Sequence, residues 1–195
     1  MTFIATVSEA DAPLAVQEMY GADRAAFGRV PNFTRAFSHR PEVYAAWRQL
    51  NGAIKGAMDL RRYELATLAA ARELRSSYCM LAHGSVLADR FFDQAQLRAI
   101  ATGDPSAPLD DVDRAVMELA AHVARDATSI TAADLDHARA AGLKDDEIFD
   151  VVAAAAARCF FSTALDALGV RPDSHFNKLP DTLREVLAVG RPIEP

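Results

Sequence analysis

Glu64 to Gly84 reads ELATLAAARELRSSYCMLAHG, and this run decides the fold class. Alanine and leucine fill its first half, and alanine is the strongest helix former. Asp59 stands where a side chain caps a helix over about Leu60 to Leu74, and Ser76 or Ser77 where one caps the next. The run therefore reads as two consecutive helices. The whole chain repeats the message: alanine supplies 40 of 195 residues, β-branched residues are comparatively few, and no stretch alternates in strand fashion. An all-α fold is expected.

Upstream, Pro13 suits the first turn of a helix lined by Leu14, Val16, Met19, Tyr20 and Phe27, with its stop at Gly28. Val30-Pro31-Asn32 makes a turn, and a short helical stretch passes through Phe33 and Phe37. Pro41 opens a helix with Tyr44, Trp47, Leu50 and Ile54 at helical spacing, which reads as core or subunit contact. Downstream, Asp93 caps Gln94 to Ala101, Gly103 stops it, and Asp104 to Pro108 is a loop. Asp110 caps a helix through Val112, Val116, Leu119, Ala120 and Val123, and Thr131 to Asp134 is a capping-box variant closed at Gly142. The last long helix runs from Lys144 or Asp145 to Gly169. Its stretch Val151 to Ala157 is apolar all round, which places it at the centre or at a subunit contact. One helical domain over residues 1–172 is expected, with residues 173–195 as a C-terminal arm or short helix punctuated by Pro180.

Charge excludes one large class of partner. The formal net charge is −6, and the 18 arginines and 3 lysines form no basic run, so no nucleic-acid binding is expected. No uninterrupted apolar stretch approaches about 18 residues, so no membrane span is expected. Met1 to Val7 lacks the basic start of a secretory signal. Two cysteines 80 residues apart make no disulfide framework. A cytoplasmic location follows as the expectation.

The chemistry concentrates in the quoted run. With Ser76 as N-cap, Cys79 falls in the first helical turn, where free amides and the macrodipole favour a thiolate. His83 lies one turn on, along the same face. A carboxylate orienting that imidazole completes a Cys–His–acid relay, and Glu64 and Glu73 are the local candidates. Tyr78 is a pocket-lining or packing residue. Cys159, beside Phe160 and Phe161, reads as core. Glu64, Cys79 and His83 lack a fourth ligand for zinc, so no metal or other cofactor is expected. His39, His122, His137 and His175 have no partner at motif spacing and read as surface or cap residues.

The run resembles the AhpD-like alkylhydroperoxidases of the carboxymuconolactone decarboxylase superfamily. Their motif is Glu, eleven residues, Cys, two residues, Cys, three residues, His. Here Glu64, Ser76, Cys79 and His83 keep that spacing, with Ser76 in place of the first cysteine. Phe27-Gly28-Arg29-Val30-Pro31-Asn32, His39-Arg40-Pro41 and Ala141-Gly142-Leu143 with Asp146-Glu147-Ile148 are similar to the longer, peroxidase-related members. The resemblance implies a multi-helix bundle that self-associates through its helices as a homo-oligomer. It also implies that Cys79 attacks a hydroperoxide and that His83 and Glu64 relay protons, which chooses Glu64 over Glu73.

Serine at position 76 removes the resolving thiol from that scheme, because serine forms no disulfide. Three functions stay open. Cys79 acts as a single-cysteine peroxidase of antioxidant type, resolved by an external thiol or reductase, or by Cys159. Alternatively, Glu64 and His83 act as a non-redox acid–base pair on a small organic acid, with Arg61, Arg62, Arg72 or Arg75 holding its carboxylate. The third is a catalytically silent helical assembly protein.

Overall fold

Ten α-helices and two 3-10 segments (Ala127–Ser129 and Ser174–Lys178) carry the chain, with no strand among the described residues, 2–195, of this computed structural model. The local signals place the boundaries. α1 (Leu14–Phe27) follows Pro13 and ends at Gly28, whose left-handed φ of +73° favours glycine. After α2 (Asn32–Ala36), Pro41 sits in the first turn of α3 (Pro41–Ala57). Asp59 caps α4 (Leu60–Glu73) by accepting from the Arg62 N–H at 3.1 Å. α5 (Ser77–Arg90) starts behind Ser76, and a capping box between Asp93 and Gln96 starts α6 (Gln94–Thr102). α7 (Asp111–Asp126), α8 (Ala132–Ala140), α9 (Asp145–Ala167) and α10 (Asp181–Leu187) complete the order.

α4 is the axis. Every residue from Tyr63 to Ala71 is buried, and its alanines let α5, α7 and α9 approach closely. The stretch Val151 to Ala157 of α9, expected at the centre or at a subunit contact, is only partly enclosed within this chain, and α4 is the helix buried all round. α9 turns Val151, Ala154, Ala155, Arg158, Phe161, Ser162 and Leu165 inward and leaves Phe149 and Phe160 exposed. By length and composition α9 would suit a bilayer, a property hidden from an uninterrupted-run criterion by Asp150 and Arg158. Here it packs against α3, α4 and α7.

α3 is pinned by one buried carboxylate. Asp23 of α1 accepts from the Thr34 and Tyr44 hydroxyls at 2.5 and 2.6 Å and from Arg48 at 2.8 Å. That triple contact sets α1, α2 and α3 against one another and so places the far half of α3, which carries Trp47, Asn51 and Lys55.

Residues 173–195 are strapped over the start of α5. Tyr78 donates its hydroxyl to Asp173, and the Gly190 N–H donates to Ser77 Oγ at 2.7 Å. A Cβ at Gly190 would stand 2.1 Å from the Arg75 carbonyl, so only glycine lets the tail cross there. Leu187 of α10 is fully buried above Gly84, where a Cβ would come within 2.8 Å of its methyl. The last helix thus closes the core over α5 and α6. Leu187→Ala is expected to cost about 2–5 kcal/mol in chemical denaturation, whereas Leu14→Ala, at a side chain 70% exposed, leaves the midpoint nearly unchanged.

Candidate active site around Cys79

The first two turns of α5, Tyr63 and Glu64 of α4 and one flank of α9 make up the site, and the flank of α9 is what touches the sulfur. Ser76 occupies the N-cap position and Cys79 the first turn, so the thiol sits at the positive end of α5. Ser76 makes no side-chain capping bond, however, and is not a partner of the sulfur. The partners come from α9, one turn apart. Ser162 donates its hydroxyl to Cys79 Sγ at 3.1 Å, and Arg158 Nη1 lies 3.6 Å from the same atom. Cys79, Arg158 and Ser162 are all at most 3% exposed.

Arg158 is held in turn by Tyr63. Its Nη2 donates to the Tyr63 hydroxyl at 3.4 Å, and that hydroxyl donates to Asn51 Oδ1 at 2.8 Å. The guanidinium also lies over the Phe161 ring, 5.6 Å from its centroid, and Phe161 stacks on Trp47 at 4.0 Å. One side of the sulfur is therefore a polar clamp and the region beyond it is aromatic.

The proton relay stands beside this clamp. His83 Nδ1 lies 2.5 Å from Glu64 Oε2, and Lys55 Nζ donates to Glu64 Oε1 at 2.8 Å. Glu64 is 1% exposed, and both of its oxygens are occupied. Glu73, the other carboxylate of the run, faces the surface and pairs with Arg125. With Nδ1 engaged by Glu64, Nε2 is the nitrogen left to exchange a proton. No hydrogen bond joins His83 to Cys79 among the described residues; they share a face of α5 one turn apart. The side chains of His83 and Lys55 are 13% and 43% exposed, so the site meets solvent on their side.

Electrostatics give the relay a definite resting state. Burial opposes the charged form of Glu64, but His83 and Lys55 outweigh it and bring its pKa down to about 2. Burial first, and then the Arg158 charge, push His83 below its ordinary value against the pull of Glu64. His83 is thus a neutral base near pH 7, and it becomes the cation opposite Glu64 only in acid.

Tyr78 faces the other way. Its ring packs edge-on against Phe33 and Phe176 and its hydroxyl holds Asp173, so it ties α5 to the tail and does not line the sulfur's surroundings. Cys159 follows Arg158 by one residue, which turns its side chain about 100° around α9 from the clamp. Both cysteines are free thiols. The four arginines considered for a substrate carboxylate are all engaged elsewhere. Arg61 pairs with Asp113 and Arg62 with Glu147, while Arg72 and Arg75 reach the Ile100 and Val189 carbonyls. Arg158, Ser162, Tyr63 and Lys55 were not singled out by motif spacing. The one available signal was a lone arginine inside the apolar run from Val151 to Phe161.

No protein-family model and no curated protein matches the sequence. Solved structures share its fold. The alkylhydroperoxidase AhpD core of an uncharacterized peroxidase-related protein from Ralstonia eutropha JMP134 superposes with a TM-score of 0.80 at 21% identity, over 92% of this chain and 98% of that one. An uncharacterized peroxidase-related protein from Silicibacter sp. TM1040 gives 0.76 at 20% identity, over 86% and 89%. The debrominase Bmp8 in complex with 2,3,4-tribromopyrrole gives 0.76 at 13% identity, over 95% and 98%. The chain therefore has the all-α AhpD-like fold.

The relay predicts an acid limb of stability. Glu64 is lowered from 4.5 to about 2, so its contribution is complete above pH 4.5 and is lost as the pH falls toward 2. Lowered His83 adds a loss in the same direction, below the ordinary histidine value of 6.5. Unfolding free energy measured across that range is expected to fall with acid, by on the order of 3 kcal/mol for Glu64. Glu64→Gln should flatten the profile between pH 4.5 and 2.

Proposed function

We propose that this protein reduces hydroperoxides with Cys79 as a single attacking thiolate, His83 as its proton carrier and Glu64 as the group that orients His83. The observation that carries this reading is the sulfur itself: it is buried at the start of a helix and receives donors from Ser162 and Arg158. Two donors converging on sulfur favour its anionic form, which is the nucleophile.

In this reading the thiol proton leaves through His83. The thiolate attacks the terminal oxygen of the hydroperoxide, forming an S–O bond as the O–O bond breaks. Cys79 becomes a sulfenic acid, and the departing alkoxide takes a proton delivered from solvent through His83 and leaves as the alcohol. An external thiol then attacks the sulfenic sulfur and releases water. A second thiol equivalent cleaves the mixed disulfide and restores Cys79. An external reductant follows from Ser76, which has no thiol to offer, and from the orientation of Cys159 away from the clamp.

The acid–base alternative is weaker on this geometry. Glu64 is clamped as a carboxylate and has no proton to give, and Arg61, Arg62, Arg72 and Arg75 are all engaged elsewhere. The same fold nevertheless serves a debrominase, so the fold alone does not specify peroxide chemistry. Self-association is proposed through the outer flank of α9, where Phe149 and Phe160 are exposed three turns apart.

Cys79→Ser is expected to abolish thiol-dependent hydroperoxide consumption. His83→Ala should lower kcat/KM about 10²–10⁴-fold, and Cys159→Ser should leave it near wild type. Peptide mass spectrometry after one equivalent of hydroperoxide, with a sulfenic-acid trap, should find the adduct at Cys79. Undiminished turnover in Cys79→Ser would end the reading.

A further inference from the structure

Among the described residues, the buried charges balance one by one, with a single exception. Asp23 is answered by Arg48 at 2.8 Å, Glu64 by Lys55 at 2.8 Å, Asp113 by Arg61, and Asp173 by Arg29 at 3.6 Å. Arg158 is the one cation among the buried charged residues, and it has no carboxylate partner among the described residues. Its Nε is buried without a hydrogen-bond partner, and its two outer nitrogens reach only Cys79 Sγ and the Tyr63 hydroxyl. Removing a guanidinium from water costs several kcal/mol unless an anion answers it. Glu64 is already spent on Lys55 and His83, and Tyr63 directs its proton to Asn51.

We infer that Arg158 is the fixed counter-ion of Cys79, so that the resting enzyme stores this cysteine as a buried thiolate–guanidinium pair, seated by Ser162 and Tyr63. Arg158 touches the reacting atom and is a catalytic residue on this view, and Tyr63 is a positioning residue. The groups facing the sulfur's surroundings are Lys55 from α3, Tyr63 and Glu64 from α4, His83 from α5 and Arg158 from α9. Counting Glu64 and the thiolate against Lys55 and Arg158, with His83 neutral, that set carries no net charge. With a thiol in place of the thiolate it would hold an unanswered cation. Arg158 keeps its proton more firmly than usual although burial alone works against it, because Cys79, Tyr63 and Glu64 surround it. The pair deepens the peroxide-reducing reading and explains how a nucleophile persists without the neighbouring cysteine that Ser76 replaces. It is measurable without any peroxide.

The test is the ultraviolet absorbance of the thiolate at a pH of about 6, roughly two units below where a free cysteine ionises. Wild type minus Cys79→Ser should show one thiolate per chain; Cys159, whose thiol burial pushes up, adds none. Arg158→Gln keeps planar donors without the charge and should lose the band, and Arg158→Lys should restore most of it. No band in the wild-type difference overturns the pair, as does a band that survives in a folded Arg158→Gln. If Arg158→Gln fails to fold by circular dichroism, the wild-type difference and Arg158→Lys still decide. A band present with Cys79 inert to hydroperoxide ends the peroxidase reading alone; oxidation of Cys79 with no band ends the pair alone.

Discussion

The buried guanidinium of Arg158 carries a desolvation cost of several kcal/mol that its surroundings have to answer. Four buried carboxylates each have a cation reaching in from a partly exposed position, so their charges are shared with the surface. Arg158 reverses that pattern: the cation is the buried member, and its neighbours are a sulfur, a phenol and an aromatic ring. A 23-residue helix of largely apolar side chains carries it into the centre. The position of α9 against α4 and α5 is then a chemical constraint as well as a packing one. A small rotation of α9 would take both Arg158 and Ser162 off the sulfur, because they lie one turn apart on the same flank.

The remaining architecture serves to hold that register. α4 accepts helices on all sides because its buried stretch is rich in alanine, and it brings Tyr63 and Glu64 to the two halves of the site. Asp23 fixes α3, which supplies Lys55 to Glu64 and Asn51 to Tyr63. The tail fixes the start of α5 through Ser77, Tyr78 and Gly84. Residues 173–195 are in this sense part of the site's support, since the turn they cover launches the helix that bears Cys79.

Much of the fold was legible locally. Asp59, Asp93, Asp110, Pro41 and Gly28 are short-range signals, and each marks the end of a helix because capping is decided by neighbouring residues. Packing order was less legible. Val151 to Ala157 and Leu65 to Ala71 are alike in composition, yet only the second is enclosed throughout, because neighbours arriving from distant sequence decide which apolar helix is central. Ser76 shows the same limit on a smaller scale: it holds the N-cap position, but its hydroxyl makes no capping bond.

The sequence by itself determined the helix class, most helix boundaries and the spacing that puts Glu64, Cys79 and His83 within one helical hairpin. Those are consequences of periodicity and capping, which act over a few residues. Only the tertiary structure decided what touches the sulfur. Arg158 and Ser162 are some eighty residues from Cys79 along the chain, and Lys55 reaches Glu64 across a helix–helix junction. A lone arginine in an apolar run signals that a buried charge must be answered. Which group answers it depends on how α9, set against α3, α4 and α7, brings that flank to Cys79 at the start of α5, and no local pattern encodes that.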